Sequence, residues 1–220
     1  MNAGRTGLTG LLGGSFNPAH RGHRGISLCA LDALGLDEVW WLVSPGNPLK
    51  ANAPDMAPLN ARLASARRVA RHSRIRASTI EATLGTRYTV DTVSALIRRY
   101  PKRRFVWIMG ADIVGQFHRW RDWRRLARLV PIAIVVRPGY EAFTEASRAS
   151  VWLRRFVRPT PSFKRTWWRP PAIVLLHCRP DPTSATALRR RDPDWHRRSA
   201  SPYRSGASVR AQAKDPTWPL

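Results

Sequence analysis

The chain is predicted to fold as an α/β protein: a doubly wound parallel sheet in a single domain. Three observations carry that prediction. Short apolar runs alternate with stretches of helical periodicity from about residue 8 to 191. The runs are continuously apolar, as strands covered on both faces are, and do not alternate with polar residues. The first run ends in paired glycines and opens a helix, so that the first β-α-β unit has the usual length of about 30 residues.

Taken in order, Leu8–Gly13 is a strand, and the segment after His20 places Ile26, Leu28, Leu31 and Leu34 at helical spacing until Gly35 stops it. Glu38–Val43 is the second strand. Ser44–Pro58, rich in Pro, Asn and Gly, is long enough for a functional loop. Leu59–His72 reads as a helix, Ile75–Ile80 as a strand, Thr89–Tyr100 as a helix and Arg104–Gly110 as a strongly apolar strand. Asp122–Leu129 is a short helix, Ile132–Val136 a buried strand, Glu145–Val157 a helix and Ala172–His177 the last strand, with a final helix over Ser184–Arg191. The folded domain is expected over residues 1–198. Periodicity is lost from Asp192 onward, and 199–220 reads as a flexible basic tail. In a doubly wound sheet ligands bind outside the C-terminal strand ends, so the loops after Gly13, Val43, Gly110 and His177 are expected to converge on one crevice.

With 220 residues, 43% hydrophobic residues and ten Trp, the chain can bury one sizeable core, which excludes disorder over most of its length. The formal charge of +24 invites a polyanion partner, yet only four of the 38 basic residues are Lys and the Arg are spread along the chain. Charge alone therefore offers a nucleic-acid-binding reading without a motif to support it, and no specific nucleic acid is expected. Cys29 and Cys178 form no CxxC pair, so neither a zinc site nor a disulfide framework is implied, and a reduced cytoplasmic setting fits. No secretory leader is seen, and the longest apolar run, Leu129–Val136, is too short to span a bilayer, so no membrane partner is expected. Oligomeric state is not legible.

The chemistry is concentrated in Gly13-Gly-Ser-Phe-Asn-Pro-Ala-His-Arg-Gly-His23, at the first strand-to-helix turn, where backbone N–H groups and the helix dipole favour an anion. His20 and His23 stand three apart, on one face of the helix start, and can donate to phosphate oxygens. The string matches neither the P-loop nor the dinucleotide-binding fingerprint.

It resembles the G-G-[ST]-F-[DN]-P-x-H-x-G-H signature of the nucleotidyltransferases that share an HxGH motif with class I aminoacyl-tRNA synthetases. Further matches follow in order: Ser44-Pro-Gly-Asn-Pro-Leu-Lys50, Tyr88-Thr-Val-Asp-Thr92, Gly110-Ala-Asp112, Trp120-Arg-Asp-Trp123, Arg137-Pro-Gly139 and Thr183-Ser-Ala-Thr-Ala-Leu-Arg189. Together, over about Gly7 to Arg191, they resemble the bacterial nicotinate-nucleotide adenylyltransferases.

That resemblance implies a Rossmann-like nucleotidyltransferase fold and AMP transfer from ATP to nicotinate mononucleotide, releasing pyrophosphate without a covalent intermediate. His20, His23 and Arg189 would be catalytic. Gly14, Ser15, Phe16, His20, His23, Gly110, Asp112, Ser184, Thr186 and Arg189 would hold ATP. Asn47, Lys50, Thr89, Val90, Trp120 and Arg137 would hold the mononucleotide. Mg²⁺ would arrive mainly through the ATP phosphates, with no metal ligands of the chain's own. Plain structural roles stay open for several of these: helix capping for Ser184, Thr186 and Asp112, a solvated charge for Lys50, and core packing for the Trp120/Trp123 pair. Sister enzymes acting on nicotinamide mononucleotide or pantetheine phosphate share the first motif; Tyr88–Thr92 and Trp120 favour the pyridine substrate. Position 17 is Asn where many members carry Asp, which removes a charge and keeps a turn-forming side chain. Phe163–Pro171, with Trp167 and Trp168, is an aromatic-basic stretch without an assigned role.

Overall fold

The computed structural model describes residues 7–46, 55–136, 147–159, 169–178, 181 and 183–199. Seven strands form one parallel sheet: β1 (Leu8–Gly14), β2 (Glu38–Val43), β3 (Ile75–Ser78), β4 (Arg104–Gly110), β5 (Ile132–Val136), β6 (Val157–Arg158) and β7 (Ile173–His177), in spatial order β3-β2-β1-β4-β5-β7-β6. The helices are α1 (Arg21–Leu34), α2 (Leu59–Ala70), α3 (Ile80–Leu84), α4 (Thr89–Arg99), α5 (Trp123–Leu129), α6 (Arg148–Arg154), α7 (Ala185–Arg191) and α8 (Trp195–Ser199), with a 3₁₀ segment over Ala111–Arg119. This is the doubly wound single domain that the sequence predicts.

The period-2 geometry of the strands divides the apolar residues between two cores. Leu8, Leu12, Val39, Trp41, Val43, Val106 and Ile108 face α1 and α2, whereas Leu11, Trp40, Leu42, Phe105, Trp107 and Met109 face α4 and the 3₁₀ segment. Every residue of β2 is buried, as a central parallel strand requires. Gly35, at φ 59, ends α1 in the left-handed conformation and returns its N–H to the Leu31 carbonyl.

Register brings the strand ends together. Gly14 pairs with Val43, Gly110 with Val135 and Val136 with His177, and the Ser44 N–H continues the β1–β2 ladder onto the Gly14 carbonyl at 3.0 Å. The strand order reverses direction between β1 and β4, which makes this edge the switch point where such sheets bind ligands.

Four elements differ from expectation. The third strand stops at Ser78, and Ile80–Leu84 is a helix closed by Gly85. The segment after Gly110 winds as 3₁₀. Val157–Arg158 is an edge strand on β7. Trp195–Ser199 is helical because the buried Trp195 docks α8 on α2. Cys29 and Cys178 are joined in a disulfide, a correction to the expectation of no disulfide framework: 149 residues separate them in sequence, but β7 ends beside α1 and their Cα atoms lie 6.0 Å apart. Among the described residues no helix is long and apolar enough to cross a membrane. The tail expected after residue 199 and the Trp167–Trp168 stretch lie outside the described residues.

Candidate active site

The phosphate cradle is built by close approach. A Cβ on Gly13 would stand 2.5 Å from the Trp107 ring, and one on Gly22 would stand 2.9 Å from the His20 Nδ1 atom, so glycine is needed at both. Between them Phe16 is buried at φ 47, a conformation a bulky residue adopts only when its surroundings enforce it. They do: its ring stacks on Trp41 at 5.0 Å and meets His23 at 4.7 Å. Trp41 is itself anchored, its Nε1 donating to Ser27 Oγ at 2.7 Å while that hydroxyl donates to the His23 carbonyl at 2.9 Å.

The two imidazoles lie 3.9 Å apart at the start of α1. The His20 N–H donates to His23 Nδ1 at 3.2 Å. A nitrogen that accepts carries no proton, so the neutral His23 ring presents Nε2–H as a donor.

The last motif meets the first. The Thr183 carbonyl would lie 3.5 Å from a Cβ on Gly22, against the start of α1. Arg189 donates through Nη1 to the Asn17 carbonyl at 2.7 Å, and its Nε pairs with the Asp55 carboxylate at 2.6 Å. Ser184 caps α7, its Oγ accepting from the Ala187 N–H at 3.1 Å, which leaves the hydroxyl proton to give; Thr186, two residues on, is exposed. Asp181 accepts from the Thr183 N–H at 2.8 Å. Hydrogen bonds from Thr183 hold its carboxyl below the usual range, with the charges of His20 and Arg21 adding to the effect.

Asp112 does not cap its helix: Gly110 occupies that position without a side-chain hydrogen bond, and the exposed Asp112 carboxylate lies over Gly110. On the other side of the strand ends, Thr89 and Val90 open α4, where a helix has no internal acceptors for its first N–H groups. Trp120 is half-buried, edge-on to Trp107 at 5.9 Å and 5.2 Å from Phe117, while Trp123 packs on Phe117 and Trp152. Core packing is thus part of what both tryptophans do, and Trp120 keeps an exposed part. The Arg121 guanidinium, 4.6 Å over the Tyr88 ring, ties this aromatic cluster to the start of α4. Asn47, Lys50 and Arg137 lie outside the described residues. Among the described residues no three His, Cys, Asp or Glu side chains are grouped to hold a metal ion.

Two residues here, Glu81 and Arg62, lie outside the motifs, and a third, Asn17, does more than shape the turn of its motif. Asn17 uses both ends of its amide, Nδ2 donating to the Asp55 carbonyl at 2.8 Å and Oδ1 accepting from the Ala57 N–H at 3.2 Å. A carboxylate could make only the second bond, which gives position 17 a reason to be Asn. Glu81 is buried beneath the ends of β2 and β3, where desolvation pushes its carboxyl up to about 7 against the opposing hydrogen bonds from Ser44 and Thr92. Arg62 is also fully buried, and its guanidinium reaches the loops after β1 and β2.

Comparison with known proteins places this arrangement. The profile of the family described as cytidylyltransferase-like matches residues 11–191. A protein of Erythrobacter litoralis named probable nicotinate-nucleotide adenylyltransferase is 59% identical over 199 residues, covering 90% of this chain and 89% of that one. One of the same name from Cereibacter sphaeroides is 50% identical over 183 residues, 83% and 96% of the two chains. Among solved structures, Plasmodium falciparum nicotinic acid mononucleotide adenylyltransferase complexed with NaAD matches with a TM-score of 0.61 at 14% identity, over 84% of this chain and 83% of that one, and so shares the fold. With the HxGH cradle, the switch-point crevice and these relatives in agreement, the chain belongs to the cytidylyltransferase-like family, among the bacterial nicotinate-nucleotide adenylyltransferases.

Proposed function

We propose that this protein transfers the adenylyl group of Mg·ATP to nicotinate mononucleotide, giving nicotinate adenine dinucleotide and pyrophosphate. The observation that carries the reading is the meeting of its two phosphate-binding motifs at one mouth of the sheet, Thr183 against Gly22 and Arg189 on the Asn17 carbonyl. An oxygen of the mononucleotide phosphate attacks the α-phosphorus in line; that P–O bond forms as the bond to the bridging oxygen of pyrophosphate breaks. No protein nucleophile is needed. The chain supplies position and positive potential: His20 and His23 donate to the phosphate oxygens as charge builds there, and Arg189 and Ser184 hold the departing pyrophosphate. Exchange of Asp55 for phosphate as the partner of Arg189 would couple ATP binding to the loop that ends at Asp55. Asp112 accepts from a ribose hydroxyl. Asn47, Lys50 and Arg137 hold the mononucleotide phosphate side, Trp120 stacks on the pyridine ring, and the open N–H groups of Thr89 and Val90 receive its carboxylate, which favours the nicotinate over the nicotinamide form.

Pyrophosphate release with Mg·ATP and either mononucleotide tests the reading. The wild type is expected to turn over the nicotinate form preferentially, and His20→Ala to lower kcat by roughly 10²–10³-fold with the fold retained. A folded wild type that releases pyrophosphate with neither mononucleotide overturns it.

A further inference from the structure

Arg62 lies on α2, outside every motif quoted above, and is one of the largest fully buried side chains of the protein, 1% exposed. A buried guanidinium has five donors to satisfy, and leaving any of them bare is costly. Arg62 directs them at main-chain carbonyls of two loops, the one after β1 and both ends of the one after β2. Nη1 donates to Ser15 at 2.8 Å, in the phosphate cradle, and to Ser44 at 2.7 Å, at the end of β2; Nη2 reaches Pro45 at 3.3 Å. Nε donates to Ala57 at 2.8 Å, just before α2. The Ala57 N–H is in turn held by Asn17 of the cradle, and the same stretch contains Asp55, the partner of Arg189.

These loops divide the proposed substrates between them. The cradle holds the ATP phosphates. The loop that leaves at Ser44 and returns at Asp55 contains Asn47 and Lys50, on the mononucleotide side. Past the last ladder bond, from the Ser44 N–H to the Gly14 carbonyl, the planar fork of one arginine ties both loops together. Lysine, with one nitrogen, could not reach all four carbonyls.

Building on the adenylyl-transfer reading, we propose that Arg62 is a positioning residue for that reaction: it holds the phosphate cradle at Ser15 against both ends of the neighbouring loop, at Ser44–Pro45 and Ala57, so that the attacking phosphate and the α-phosphorus are aligned. Each substrate keeps the groups of its own loop, so the loss falls on alignment more than on affinity. A misplacement of about 1 Å between reacting groups can cost about 100-fold in rate.

The test compares wild type, Arg62→Lys, Arg62→Ala and His20→Ala in pyrophosphate release, with rates normalised to the native fraction read by near-UV circular dichroism. Arg62→Lys is expected to lower kcat about 100-fold with KM for ATP and for the mononucleotide each within about 3-fold of wild type. Guanidinium ion at low millimolar concentration is expected to recover part of the Arg62→Ala rate and none of the His20→Ala rate. Normalised kcat within 3-fold of wild type in both Arg62 variants overturns the proposal. So does a loss confined to KM, the absence of any guanidinium rescue, or a set in which neither Arg62 variant reaches the native state. An inactive wild type overturns the functional reading and this proposal with it; an active wild type with fully active Arg62 variants overturns the proposal alone.

Discussion

The two sides of the crevice are held by different physics. On the β1–β2 side, directional polar bonds tie the cradle to the ends of the neighbouring loop: Arg62 to both, Asn17 to Asp55 and Ala57, Arg189 to Asn17 and Asp55. On the β4–β5 side the walls are aromatic: Trp107, Phe117, Trp120, Trp123, Trp152 and Phe156 meet edge-on or tilted, with ring centroids 4.6–5.9 Å apart. Hydrogen bonds specify distance and angle, whereas dispersion and burial specify volume and shape. The difference matches the proposed labour: the reacting phosphates need alignment and the pyridine ring needs a flat, apolar wall.

Phe117 is the residue on which the aromatic side depends most. It is fully buried and touches both Trp120 and Trp123, so Phe117→Ala opens a cavity between them and removes two ring contacts. Denaturant unfolding should show a loss of about 3–5 kcal/mol. The aromatic wall would lose its shape while the polar side stays intact, so KM for the mononucleotide should rise more than KM for ATP. Equal changes in both would mean that the two sides are not mechanically separate.

Glu81 belongs to the polar side. It is 7% exposed, and burial pushes its carboxyl up to about 7 from the ordinary 4.5. Below about 4.5 both states hold the proton. Between 4.5 and 7 the folded protein binds more protons than the unfolded one, so stability falls as pH rises, and above about 7 the loss is complete. Its full size is up to about 3 kcal/mol. Glu81→Gln should flatten this part of the profile and be the more stable form at pH 8. Unfolding curves from pH 4.5 to 8 check it; parallel profiles for the two proteins would show that burial does not hold the proton.

How far these features are legible in the sequence follows from what holds each in place. Strands and the longer helices rest on local periodicity, and the cradle is a contiguous string, so both can be read directly. Arg62 is different: in Leu-Asn-Ala-Arg-Leu-Ala it reads as a solvated helix charge. The one signal is its place on the stripe of Ala66 and Ala70, four and eight residues on, both buried. That stripe says the side chain points inward but not what it meets, because its acceptors are carbonyls of distant loops. The Cys29–Cys178 bond is illegible for the same reason, being set by where β7 ends relative to α1. The segment after Gly110 buries Ala111, Val114 and Phe117, three apart, a spacing that sequence alone does not divide between 3₁₀ and α-helix, and α8 depends on one buried tryptophan within a polar stretch. Asp112 looks like a cap in sequence because the helix start is uncertain by a residue or two; with Gly110 in that position, the carboxylate is left at the crevice.

The smallest expected effect falls on Trp120, where the two sides of the comparison meet. It is half-buried, whereas Phe117 beneath it is sealed, so replacing it by alanine removes a surface more than a support. An aromatic contact of this kind contributes about 0.5–1.5 kcal/mol beyond simple burial. Trp120→Ala is therefore expected to raise KM for the mononucleotide by roughly 3–10-fold, leave KM for ATP within 2-fold and change kcat little, while Trp120→Phe keeps most of the affinity. Trp123→Ala is the control, since Trp123 packs on Phe117 and Trp152 within the same cluster: it should cost stability without selecting between the substrates. If the two alanine variants weaken both substrates alike, Trp120 is a packing residue and the ring is bound elsewhere. If only Trp120→Ala selects, the aromatic side is a recognition surface whose rigidity comes from the residues behind it.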